Sequence, residues 1–133
     1  MAAELQLVAV AAVIVREGRV LAMRRASTKD AGPGLWETLS GRVAAGEEPL
    51  AAVRREIIEE SGLAVTVETR PIDVYTAERN GVPMVVIVYR ASWVGGDVQV
   101  SDEHDEFRWL TPADFEELST LTRLSDAVWK ACR

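Results

Sequence analysis

Glu56, Glu59 and Glu60 stand at i, i+3 and i+4 directly behind Arg55, a spacing that gathers three carboxylates on one side of a helix. Like charges at that spacing destabilise a helix by roughly 0.2–0.5 kcal/mol per pair, so something must offset the repulsion. Two devices are at hand. Arg55 can pair with Glu59 at i, i+4, and a hard divalent cation such as Mg2+, which takes oxygen ligands, can neutralise the remaining charge. The competing reading is a solvated, charged helix face. A second acidic stretch, Ser101-Asp102-Glu103-His104-Asp105-Glu106, carries the chain's one histidine and reads either as a further source of carboxylate chemistry or as a solvated loop. His104 has no evident partner in the sequence and is expected to be a surface or hydrogen-bonding residue, not a catalytic one.

These groups need elements to hold them. Residues 5–15 lead through Arg16-Glu17-Gly18-Arg19 into residues 20–25, which reads as a hairpin of two strands. Arg24 and Arg25 close the second strand and, at a period of two, point to opposite faces. Residues 26–34 end in Gly-Pro-Gly and form a loop, and residues 35–39 form a short strand. A helix follows over residues 48–61, with Pro49 in its first turn and Gly62 as its stop. On a wheel at about 100° per residue, Leu50, Val53 and Ile57 share one arc, while Ala52, Glu56, Glu59 and Glu60 occupy the opposite one. One face is therefore expected to bury and the other to form an acid cluster, with Arg54 snorkelling or marking the edge of the apolar arc. Residues 64–79 and 82–94 flank Asn80-Gly81, a type I′ hairpin signal, and both flanks favour strand. Residues 107–110 form one more strand, Thr111-Pro112 opens a helix as N-cap and N1, and Leu124, Val128 and Trp129 pattern a last helix over residues 122–132.

Interleaved strands and helices make the class α/β or α+β. At 133 residues and 48% hydrophobic content, the chain has one well-filled core and is read as a single domain over 1–133. A net charge of −6 argues against a nucleic-acid polymer as partner and against a basic membrane anchor. An acidic protein can still take a small polyphosphate if cations bridge the two. Cys132 stands alone, so no internal disulfide is possible and a reducing, cytoplasmic setting is expected. The apolar start lacks a positively charged lead and reads as a strand in place of a secretory signal.

From Gly41 to Leu63 the chain matches G-x5-E-x7-R-E-U-x-E-E-x-G-U, with U a bulky aliphatic. Gly41, Glu47, Arg55, Glu56, Ile57, Glu59, Glu60, Gly62 and Leu63 fill all nine fixed places. In this the chain resembles the Nudix (MutT-like) hydrolases. The resemblance implies the Nudix fold, a mixed β-sheet sandwiched between α-helices, and hydrolysis of a diphosphate linkage with Mg2+ or Mn2+ by a monomer or homodimer. The substrate it implies is a small nucleoside diphosphate derivative, foremost a nucleoside triphosphate. A nucleotide sugar, ADP-ribose or dinucleoside polyphosphate comes second. It also implies roles. Glu56, Glu59 and Glu60 would hold the metal together with the backbone carbonyl of Ser40. Arg55 would orient a carboxylate, Glu47 would brace the loop, and Gly41 and Gly62 would serve the backbone. Two alternatives stand for the general base: Glu56, or an acid from the later loop, with Glu103 ahead of Glu106. Substrate contacts are expected from one of Arg24 and Arg25, and Trp36 either packs under the loop or lines a base pocket. A non-catalytic nucleotide sensor would not need Arg55 and all three acids. The isomerase branch of the fold uses a cysteine in the body of the domain, a poor match for Cys132.

Overall fold

The computed structural model describes residues 5–27 and 32–133, so residues 1–4 and the middle of the loop expected over 26–34 lie outside the description. Strands β1 (Leu7–Arg16) and β2 (Arg19–Arg25) form the expected hairpin, turning at Glu17 and Gly18 with φ of 51° and 75°. Two consecutive positive φ values are what a type I′ turn requires. β1 is buried from Ala9 to Ile14 because it is central: β7 (Val82–Gly95) runs parallel along one side, and β4 (Leu39–Arg42) antiparallel along the other.

The expected strand over residues 35–39 is in fact two. β3 (Trp36–Glu37) pairs with β2, whereas β4 pairs with β1, and the fully buried Thr38 is the switch between them. β2 pairs with β1 only next to their turn and then splays away, so a chain crossing from one to the other must break its ladder. The flank expected as one strand over 64–79 is also two, β5 (Ala64–Val67) and β6 (Asp73–Arg79), both antiparallel to β7. Pro71, which has no N–H to give a ladder, lies in the gap. Asn80 and Gly81 turn β6 into β7 at φ of 50° and 79°. β8 (His104–Leu110) starts earlier than expected, because its pairing with β2 continues past a bulge to Arg25 and His104.

Helix α1 (Pro49–Ser61) covers one face of the sheet, packing Val53 and Ile57 against Val10, Ala12, Ile14 and Leu39. Helices α2 (Pro112–Leu118) and α3 (Thr122–Ala131) cover the other, packing Phe115, Leu124 and Val128 against Ala11, Val13, Val86 and Val88. β1 serves both layers by the alternation of a strand. The result is a mixed sheet between helices, in the α+β class. Thr111 caps α2, accepting at Oγ1 from the Asp114 amide at 3.2 Å. Gly62 closes α1 in the left-handed region at φ 69°.

Helix α1 departs from the wheel in one respect. Its buried residues are Ala52, Val53, Ile57, Glu60 and Ser61, while Arg54 is exposed. The acid arc and the apolar arc thus overlap: Glu60 lies inside the protein and Glu59 outside.

Candidate active site

A cleft of about 740 Å3 opens on the sheet face beside α3. Its floor is set by strand register. Arg42 pairs with Ala9, Ala9 with Val86 and Val86 with Tyr75, giving one row across β4, β1, β7 and β6. At about 4.8 Å per strand, such a row spans roughly 14 Å. Alanines at 9 and 11 keep its middle flat, with Met84 beside them. Tyr75 ends the row, with the Arg123 guanidinium stacked 5.0 Å from its ring centroid. Burial pushes the Tyr75 hydroxyl up to about 12, so it remains a hydrogen-bond donor.

Glu37, Glu56, Glu60 and Glu103 also line the cleft, with Glu56 against Gly41 beside the Arg42 end of the row and Glu37 within electrostatic reach of both Glu60 and Tyr75. Glu56 reaches it because residue 41 is glycine: a Cβ there would overlap the Glu56 carboxyl. Arg55 organises the surroundings. Its Nε and Nη2 donate to the two oxygens of Glu47 at 3.0 Å each, and its Nη1 donates to Glu56 at 2.8 Å and to Glu59 at 3.3 Å. Nη2 also donates to the Arg42 carbonyl at 3.1 Å, which ties β4 to the helix. Glu47 in turn accepts the Ala44 amide at 3.0 Å. Charge-assisted bonds of this kind hold the Glu47 carboxyl below its usual range and raise Arg55.

The two inner acids move the other way. Burial raises Glu56 despite Arg55. Glu60, 5% exposed, is pushed up to about 9, first by burial and then by the charges of Glu56, Glu37 and Glu103. The Ser40 backbone amide partly compensates, yet Glu60 Oε2 is buried without a hydrogen-bond partner. Among the described residues no three acids converge into a ready-made coordination sphere, since Arg55 holds Glu56 and Glu59 to itself while Glu60 stays inside.

The other sequence candidates divide. Arg25 lines the cleft and donates to Glu37 at 3.2 Å, whereas Arg24 faces away into Asp105 at 2.7 Å and Glu106 at 3.2 Å. The two side chains thus diverge, with a register shift of the β2–β8 ladder between them. Glu103 lines the cleft. Glu106, its runner-up, is drawn off to Arg24 and Arg108 along β8 and does not line it. Trp36 takes the packing option: it is buried among Phe115 and Val86, lies under Arg108, and is not part of the cleft wall. His104 is not at the surface. It is 3% exposed and hydrogen-bonded to Glu37 at 2.9 Å. Sequence reasoning missed Glu37, Tyr75 and Arg123. For Glu37 one signal was present, an acid inside a short strand that otherwise reads as buried.

A profile described as the NUDIX domain matches residues 5–130. A MutT-like protein of Streptomyces ambofaciens is 39% identical over 111 residues, covering 83% of this chain and 67% of the relative. The nucleoside triphosphatase NudI of Klebsiella pneumoniae is 27% identical over 125 residues, covering 85% of this chain and 89% of the relative. The crystal structure of a MutT protein from Methanosarcina mazei superposes with a TM-score of 0.85 at 25% identity, covering 98% of this chain and 96% of that one.

Proposed function

This chain belongs to the NUDIX hydrolase family, and from that premise we propose that it is a Mg2+-dependent pyrophosphohydrolase of a nucleoside triphosphate. The observation that carries this reading is the cleft that sets buried carboxylates beside a flat alanine floor closed by Tyr75. Its span suits a polyphosphate joined to a ring. The NudI relative supports the triphosphate over other derivatives.

The donor set fits a hard dication. Oxygens from Glu56, Glu59 and Glu60 and the Ser40 carbonyl would hold it, and the partnerless Glu60 oxygen is a ligand in waiting. When bound, the ion neutralises charge on the phosphoryl oxygens and makes water easier to deprotonate. Mn2+, with similar oxygen preference, would substitute. Arg55 fixes the position of Glu56 and Glu59, Glu47 anchors Arg55, and Arg25 faces the phosphates from β2. Glu103, in the turn before β8, takes the proton from attacking water. Glu56 is the alternative base; burial favours its taking a proton, while the hydrogen bond from Arg55 occupies one of its carboxyl oxygens.

A panel of nucleoside triphosphates with Mg2+, scored for pyrophosphate against phosphate release, tests the class. Orthophosphate as the first product, or no turnover of any triphosphate, would overturn it. The cleft wall continues past Tyr75 to Arg79, which favours nucleotide sugars, ADP-ribose and dinucleoside polyphosphates as the second panel. For the base, Glu103→Gln is expected to lower the single-turnover rate by about 10²- to 10⁴-fold with metal affinity retained. Glu56→Gln losing rate and metal affinity together, beside an unaffected Glu103→Gln, would transfer the role to Glu56.

A further inference from the structure

Glu37 and His104 lie 67 positions apart in sequence yet share a buried hydrogen bond of 2.9 Å, at 7% and 3% exposure. A carboxylate only accepts, so the histidine donates from Nε2, and its Nδ1 is left buried without a partner. Glu37 is fully engaged. It also accepts from Arg25 at 3.2 Å and from the Ser40 hydroxyl at 3.3 Å, so one carboxyl joins β2, β4 and β8. Burying such groups costs more than filling the space with apolar side chains, and the partnerless Nδ1 adds to that cost. What a directional polar pair supplies and apolar packing does not is a fixed geometry.

The residue whose geometry is at stake adjoins the histidine. Glu103 immediately precedes His104, at the bulge where the β2 and β8 ladder shifts register between Arg24 and Arg25. Its backbone is held on both sides, its amide donating to Ser101 Oγ at 3.2 Å and its carbonyl accepting from Ala26 at 2.9 Å. Both of these are contacts of loop with loop. The His104 ring on Glu37 ties this segment by a buried side-chain contact to the carboxylate end of the cleft.

We propose that the Glu37–His104 pair is a brace that sets Glu103 over the carboxylate end of the cleft, making His104 a positioning residue for the hydrolytic step. This rests on the reading of Glu103 as the base. A displacement of about 1 Å in a reacting group can cost on the order of a hundredfold in rate, which is the scale of effect at issue.

The test compares His104→Gln, whose amide nitrogen reaches the position of Nε2, with His104→Asn, which is polar but too short. Each is made alone and in a Glu103→Gln background. Hydrogen exchange over residues 101–106 and over α1 is measured beside kcat and KM for the nucleotide the wild type cleaves. His104→Asn is expected to lower kcat by about ten- to a hundredfold with KM within about twofold, and His104→Gln to recover most of it. In the Glu103→Gln background the Asn substitution is expected to cost less than about twofold, because its target has already been removed. Exchange over 101–106 should rise in the Asn variant and not in α1. An equal loss of kcat in both backgrounds would overturn the positioning role and leave Glu103 as base. A Glu103→Gln variant with normal rate would remove both the base and the purpose of the brace. Unchanged exchange over 101–106 in His104→Asn would overturn the brace whatever the rates, and it needs no substrate to observe.

Discussion

The Glu60 carboxyl, raised from 4.5 to about 9, gives the metal-free protein a definite pH dependence. Between those values the unfolded chain has released a proton that the folded one retains, so stability from this group is complete below 4.5 and is lost as pH rises toward about 9. Glu56 shifts in the same direction for the same reason. With chelator present, the melting temperature is therefore expected to fall from pH 5 to pH 8, and Glu60→Gln is expected to flatten that slope and melt higher than wild type at pH 8, while nearly abolishing turnover. A Glu60→Gln variant that melts lower than wild type at pH 8 would refute the assignment. A cation must displace that proton, so added Mg2+ should raise the wild-type melting temperature more at pH 8 than at pH 6. At this scale the contacts within the Gly41–Leu63 motif were legible, since Arg55 meets Glu47, Glu56 and Glu59 within one short stretch. The Glu37–His104 contact was not, because it is created by the pairing of β2 with both β3 and β8 and no local pattern records which distant strands will meet.

The contact of β4 with α1 is the element-level feature on which the carboxylates depend. A methyl group at residue 41 would collide with the Glu56 carboxyl, so Gly41→Ala must move either the strand or that side chain. The side chain is the softer of the two. Gly41→Ala is expected to keep its circular dichroism spectrum while losing at least tenfold in kcat, the loss coming from displaced Glu56 geometry, about 1.4 kcal/mol at the transition state. Normal kcat in a folded variant would mean that Glu56 can serve from another position. The hairpins at Gly18 and Gly81 and the bounds of α1 were readable from turn chemistry, capping glycine and proline. The breaks at Thr38 and near Pro71 were harder. Both neighbouring segments are strand in each case, and what changes is the partner, which composition does not carry. The wheel likewise separated an apolar from an acidic arc correctly by residue type, but it could not foresee that α1 would be rolled so as to bury Glu60.

At the scale of the whole molecule, an acidic chain presents one cleft that holds both the carboxylates and Tyr75. Tyr75→Ala is expected to raise KM for a nucleoside triphosphate by about tenfold, roughly the worth of one aromatic contact, with little change in kcat. Competition by inorganic tripolyphosphate, which has no ring to place there, should be unaltered. Equal weakening of both would move the ring site elsewhere. The layered sandwich could be anticipated from interleaved strands and helices and from the Gly41–Leu63 motif, whereas the cleft floor could not, because β1, β4 and the β6–β7 hairpin, far apart in sequence, all contribute to its row. That row crosses the parallel seam between β1 and β7, the first strand of the chain and one near its far end. Helix α1 needs only local contacts and can form early, but the seam must close more than half of the chain into a loop, which is entropically costly and slow. In refolding from denaturant, helical signal should therefore return ahead of catalytic competence, with the last step set by the docking of β1 on β7 and not by assembly of the carboxylates.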